Sequence, residues 1–223
     1  MRRIKQFLPL FVFALFTSLI LAGCVNYEQK ATINSDGSGT MKIHYWAAST
    51  NISSGELGGF GFTEDKARSK FSSSNTQVGD VKIEEKKDTD TTKSTHVTLD
   101  VKFKDLNKLT EATGFSKIKA SWEKGKDGMD FKYTLLKDTS NSGMGMEKYK
   151  LAYEFEFADE VIASNGKIEG KKVTWDKNLT DLKQDVVMSA TVKSGKKCGL
   201  FGLELPIIVF AGVVLIYGFK RKR

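Results

Sequence analysis

This 223-residue chain has only two thiols and two imidazoles, Cys24 and Cys198, His44 and His96. The histidines stand in separate stretches of strand-like alternation with no cysteine to join them. The spacing of a zinc site is missing, and both are read as strand histidines at or near the surface. The chain has neither a Gly-x-Ser-x-Gly elbow nor a Gly-Lys-Ser/Thr phosphate loop. Glu84-Glu85 and Asp159-Glu160 are neighbours in sequence, which a strand points to opposite faces, so they read as solvated charge and not as an acid/base couple. The expectation is a protein that is not an enzyme and holds neither metal nor cofactor. Cys24 differs from the other candidates because of what precedes it.

Residues 1–23 have the layout of a secretory signal: Arg2, Arg3 and Lys5, an apolar stretch over 7–21, then the small residues Ala22 and Gly23. Its end, Leu21-Ala22-Gly23-Cys24, resembles the lipobox of bacterial lipoproteins. That resemblance implies a diacylglyceryl group on the Cys24 thiol and a cleavage that leaves Cys24 as the new N-terminus. At the other end, "GLFGLELPIIVFAGVVLIYGF" (199–219) is apolar apart from Glu204. At about 1.5 Å per residue it reaches roughly 30 Å, the span of a transmembrane helix. The basic tail 220–223, "KRKR", sets the C-terminus in the cytoplasm and the body outside. Glu204 lies near the outer end, where it snorkels or marks the interface; a contact to a partner helix is the other reading. Cys198 is an inert apolar residue or a palmitoylation-type or intermolecular site.

Charge follows the same division. The net charge is +8, but seven of the 35 lysines and arginines sit in residues 1–5 and 220–223. The stretch 25–198 keeps 28 basic against 26 acidic residues, a net +2. So balanced a body has no footprint for a phosphate backbone, which excludes a nucleic-acid partner.

Between the anchors, alternation of apolar and polar residues predicts strands. Residues 25–33 and 40–46 form a hairpin around "SDGSG", and 47–62 reads as an irregular glycine-rich loop. Thr63 caps a short helix to residue 71, with Phe62 and Ala67 as a hydrophobic staple. Strands follow over 77–86 and 94–103, then a second helix capped by Asp105 and ended by Gly114. A hairpin over 118–122 and 129–136 leads to "KYKLAYEFEF" (148–157), the clearest alternation in the chain, with Tyr149, Leu151, Tyr153, Phe155 and Phe157 on one face. Segments 161–163, 171–175 and 186–192 complete it. About nine strands and two short helices predict an α+β class: a largely antiparallel sheet domain, preceded by the signal helix and followed by the transmembrane helix.

The stretch "CVNYEQKATINSDGSG" and the later run with Gly166, Gly170, Val173 and Trp175 resemble the LppM-type family of bacterial envelope lipoproteins, in which a lipobox cysteine runs straight into a first strand. The resemblance implies an LppM domain at 24–198, attached to the membrane and handling envelope lipids or glycolipids; it carries over no catalytic residue.

Two glycine-flanked loops, "GELGGFGF" (55–62) and "SGMGME" (142–147), place Phe60, Phe62, Met144 and Met146 as ligand contacts or as plugs over the core. Trp46, Tyr153, Phe155 and Trp175 either line a cavity or pack the core. The expected organisation is a signal peptide at 1–23, an extracytoplasmic domain at 24–198, a membrane span at 199–219 and a cytoplasmic tail at 220–223. The expected function is a non-enzymatic module of the cell envelope, lipid-anchored and single-pass in the cytoplasmic membrane, that binds a lipid or glycolipid. The alternative is a structural or assembly protein whose partner is another membrane protein.

Overall fold

Alternating side chains build most of the molecule into strands. The computed structural model describes residues 25–138 and 145–193. β1 (Asn26–Ile33) and β2 (Gly39–Ala48) pair antiparallel, joined by a tight turn in which Gly37 has φ +83° and Asp36 accepts from the Ser38 amide at 2.9 Å. The two-residue strands β3 (Glu56–Leu57) and β4 (Phe60–Gly61) form a small hairpin, followed by α1 (Glu64–Phe71). β5 (Thr76–Lys87) and β6 (Lys93–Phe103) come next, then β7 (Ile118–Lys124), β8 (Met129–Leu135) and β9 (Lys150–Phe157). The chain ends its described part with β10 (Val161–Ser164), β11 (Lys167–Glu169), β12 (Lys172–Asn178) and β13 (Val186–Val192).

These strands form a seven-stranded sheet in the order β11-β12-β9-β1-β2-β6-β5 and a four-stranded sheet in the order β10-β13-β8-β7. All pairings are antiparallel except β1 with β9, where Tyr27 meets Leu151 and Ile33 meets Phe157 in parallel register. The sheets face one another through aromatic residues, with Phe131 of β8 4.7 Å from Phe155 of β9 between ring centroids. The rest of the large sheet's inner face, around Tyr45, is covered by Phe60, Phe62 and Phe71 at 4.9, 5.3 and 6.3 Å. Burying one face of each strand while the other stays wet is what period-2 alternation encodes.

The expected α+β class is wrong. The described residues are 55% strand and 17% helix, a mainly β fold. α1 is the one α-helix among them, and it buries only Ala67 and Phe71. Thr63 does stand at its N-cap, without a side-chain capping bond, and the staple residues Phe62 and Ala67 are both buried. The expected second helix is a 3-10 turn (Leu106–Glu111): Asp105 caps it by accepting from the Asn107 amide at 2.9 Å, but two buried leucines on six residues give an α-helix too little to propagate on. Gly114 does not end it. That glycine lies in a further 3-10 turn (Thr113–Phe115), where a Cβ would come within 2.6 Å of the Phe71 ring, so its small size serves packing. Nor is 47–62 irregular throughout, since β3 and β4 lie in it. The expected signal and transmembrane helices fall in residues 1–24 and 194–223, outside the described residues; no described helix is long and apolar enough to cross a membrane.

Candidate functional site

β1 and β9 of the larger sheet, β7 and β8 of the smaller one and the β3–β4 hairpin converge on an apolar cavity of about 340 Å³. Alternation supplies its walls: Val25 and Tyr27 at the start of the domain, Leu151 and Tyr153 from β9, Tyr133 and Leu135 from β8, and Ile118 from β7. Phe60 and the turn glycines Gly58 and Gly59 close one side, Phe115 another. Leu179 and Leu182 come from a 3-10 turn (Leu179–Lys183). A capping box fixes that turn: Asn178 accepts from the Thr180 amide and Asp181 accepts from the Asn178 amide, both at 2.9 Å. Lys70, Lys117 and Asp138 contribute the charged part of the lining.

Beside these charged groups and Thr113 and Ser116, the lining contains three tyrosines, Tyr27, Tyr133 and Tyr153. Tyr27 and Tyr133 both donate to Gln29 Oε1, at 2.8 and 3.4 Å. Gln29 is buried, and its Nε2 is the one buried side-chain nitrogen or oxygen among the described residues without a hydrogen-bond partner. Burial raises the pKa of Tyr27, Tyr133 and Tyr153, and for Tyr27 and Tyr153 the neighbouring tyrosines raise it further. These hydroxyls stay protonated at any physiological pH. Protonated hydroxyls of this kind can donate hydrogen bonds to, or accept them from, an oxygen-bearing ligand.

The residues singled out from sequence fall in different places. Phe60 lines the cavity and lies 5.9 Å from Tyr27. Phe62 is buried, edge-on to Tyr45. Met146 is partly buried against the core, while Met144 and Cys24 lie outside the described residues. Of the four aromatics weighed as cavity or core, Tyr153 lines the cavity, Phe155 and Trp175 are core, and Trp46 sits on the opposite, outer face of the large sheet. His44 and His96, 52 residues apart, meet on that outer face at 2.9 Å, which sequence reasoning did not anticipate. The signal was parity: with Tyr45 opposite Val97, both histidines flank core residues and so share the other face. Among the described residues no three His, Cys, Asp or Glu side chains gather as a metal site.

Fold and site together define a two-sheet β domain with an apolar cavity between its sheets. No family model matches the chain, and no curated protein matches its sequence. Among solved structures the chain is similar to the folded domain of the Mycobacterium tuberculosis LppM protein, determined by NMR. The identity is 14% and the TM-score 0.46, with 79% of this chain and 94% of that chain covered.

Proposed function

We propose that the protein is a non-enzymatic binding module of the bacterial cell envelope that takes an apolar part of a lipid or glycolipid between its two sheets. The observation that carries this reading is the cavity itself. Its volume of about 340 Å³ lies at the low end of the roughly 300–1,000 Å³ typical of small-molecule sites, sized for one slender apolar ligand. The tyrosines of the lining, Tyr27, Tyr133 and Tyr153, add hydroxyl groups suited to the oxygen atoms where an acyl chain meets its backbone. Val25, which follows the lipobox cysteine directly, is part of the lining, so a diacylglyceryl anchor on Cys24 holds this end of the domain at the bilayer surface. The apolar run 199–219 with its basic tail adds a second tether from the extracytoplasmic side.

The described core draws only on residues from Val25 to Val192, so fragment 25–198 contains all of it. Purified without detergent, that fragment is expected to carry acyl lipid detectable by mass spectrometry and to release it to organic solvent. A lipid-free fragment that also fails to take up an apolar fluorescent probe overturns the reading. The anchors are tested separately on the full chain: the mature mass is expected to include a diacylglyceryl group on Cys24, and protease added outside intact cells is expected to digest the domain. Crosslinking in membranes separates the assembly-protein alternative, which requires a stoichiometric protein neighbour.

A further inference from the structure

The outer face of the large sheet carries a hydrogen-bonded chain that crosses four strands. Lys150 of β9 donates to Glu28 Oε1 of β1 at 3.2 Å, and Glu28 Oε2 faces His44 Nδ1 of β2 at 3.4 Å. His44 Nε2 meets His96 Nδ1 of β6 at 2.9 Å, and His96 Nε2 meets Ser94 Oγ at 2.9 Å. Ser94 donates onward to Asp88 Oδ1 at 2.9 Å, in the turn between β5 and β6. The two imidazoles are inclined by only 19° with centroids 5.2 Å apart. At that spacing, with 2.9 Å between facing nitrogens, the rings lie edge to edge in nearly one plane. The contact is an in-line N–H···N bond. The Trp46 indole covers it, 4.7 Å from His44 and 5.5 Å from His96, at 21° and 6° to their planes.

Donors and acceptors along this chain can be assigned by elimination. Ser94 has one hydroxyl proton and gives it to Asp88, so toward His96 it must accept, and His96 Nε2 carries hydrogen. A neutral His96 then offers a lone pair at Nδ1, which requires hydrogen on His44 Nε2. His44 Nδ1 faces a carboxylate, which only accepts, so it too carries hydrogen. We propose that His44 and His96 form a one-proton site: every contact is satisfied when the pair holds one proton more than two neutral imidazoles, with His44 as the cation and His96 neutral. The stacked indole face and the Glu28 carboxylate both favour a cation at His44.

Gain or loss of a proton breaks the chain differently. A second proton puts hydrogen on both facing nitrogens, and the 2.9 Å contact becomes a repulsion between cations. Removing the first either leaves a lone pair against Glu28 or reverses both tautomers, which takes the Ser94 proton away from Asp88. The other charges facing His96 are Glu84 and Lys86 of β5; with Lys150 and Glu28 facing His44, they complete the surroundings of the pair. Burial, followed by Lys86 and His44, holds His96 below the ordinary histidine range, in keeping with late entry of the second proton. The site therefore acts as a latch that opens on acidification. It ties the β5–β6 hairpin to β1 and β9, whose opposite faces line the cavity through Tyr27, Leu151 and Tyr153.

The chain contains only two histidines, so ring-15N histidine labelling of fragment 25–198 gives four nitrogen resonances in all. Near pH 7 the expected spectrum shows both His44 nitrogens protonated, His96 protonated at Nε2 alone, and a trans-hydrogen-bond coupling between His44 Nε2 and His96 Nδ1. On acidification the coupling is expected to vanish in the same step that protonates His96. Glu28→Gln is expected to move the first proton to lower pH by about one unit or more, a tenfold loss of proton affinity. Two histidines that titrate as independent single sites, or a coupling that persists with His44 neutral, overturn the proposal. Both readouts come from the unaltered sequence, so the test stands even where Glu28→Gln fails to fold.

Discussion

β8 and β9 face each other through the rings of Phe131 and Tyr133 on one strand and Tyr153, Phe155 and Phe157 on the other, yet one end of their interface is solid and the other hollow. At the solid end Phe131 meets Phe155, Phe157 and Trp175 with ring centroids at 4.7, 5.1 and 6.3 Å, and Trp122 stacks on Phe157 at 5.9 Å. At the other end Tyr133 and Tyr153, at 5.8 Å, open onto the cavity. The difference lies in what the flanking elements deliver. Two indoles wedge the solid end, each seated against a glycine: a Cβ on Gly37 would lie 2.8 Å from Trp122 and one on Gly166 2.5 Å from Trp175. Their N–H groups are satisfied as well, by Ser35 O at 3.3 Å and Asn165 Oδ1 at 2.8 Å. The hollow end receives leucines and an exposed Gly58-Gly59 turn instead. A cavity here follows from side chains too small to fill the gap between two sheets that the indoles hold at aromatic spacing.

Truncation at the solid end is the strongest way to break this contrast. Phe155 is fully buried among Phe131, Tyr133 and Trp175, so Phe155→Ala is expected to cost about 3–5 kcal/mol in denaturant unfolding. Leu151→Ala enlarges a space that already exists and is expected near the lower limit for leucine, about 2 kcal/mol. Equal losses would mean that the hollow end is as tightly packed as the solid one. Added methyl groups probe the same asymmetry. Gly166→Ala drives a Cβ into the Trp175 ring and is expected to cost about 1–3 kcal/mol. Gly59→Ala meets nothing within 4 Å, and its φ of +87° alone is expected to cost about 1 kcal/mol. Filling the cavity sharpens the comparison: Leu135→Phe is expected to change stability by less than about 1.5 kcal/mol. The same change is expected to weaken uptake of an apolar fluorescent probe at least tenfold.

Much of the strand framework was legible, because period-2 alternation is a local property. The face of 148–157 that carries Leu151, Tyr153, Phe155 and Phe157 is the buried one, and Val97, Leu99, Val101 and Phe103 point into the core as their spacing predicts. Within the first of these runs the change from Tyr153 to Phe155 even marks where the hollow end gives way to the solid one. What stayed hidden depends on partners far away in sequence. The parallel pairing of β1 with β9 joins residues 124 apart, as Tyr27 does with Leu151, and no local pattern announces it. The division into two sheets follows from that pairing, and so does the cavity, since it has walls on both. The second helical segment differs from its expectation for a related reason: at 106–115 the backbone is shaped by Leu106, Leu109 and Phe115 reaching the core, and the run is too short for helix propensity to decide. Phe60 and Phe62 look equivalent in "GFGF", but the tight hairpin sends one toward the cavity and buries the other beside Tyr45.

The smallest expected effects lie on the outer face, where a polar chain takes the place of packed rings. His96 accepts a proton less readily in the folded chain than unfolded, because burial first, then Lys86 and His44, disfavour its charge. The unfolded chain therefore binds more protons once the pH falls below about 6.5, and stability declines from there until folded His96 itself protonates. Burial pushes the Glu28 carboxyl up, but hydrogen bonds from His44 and Lys150 outweigh it and hold it below the usual carboxylate range. Its contribution is complete above about pH 4.3 and is lost as the pH falls through the folded value. Each step is expected to be worth under about 1 kcal/mol, since both groups are partly solvated. Unfolding midpoints measured from about pH 8 to about pH 2 are expected to show a decline in two stages, the upper one flattened by His96→Gln. Glu28→Gln discriminates further. Loss of only the lower stage would make the two ionisations independent and contradict a shared proton, whereas a one-proton pair requires the upper stage to move as well, because Glu28 holds the far end of that proton's hydrogen-bond chain.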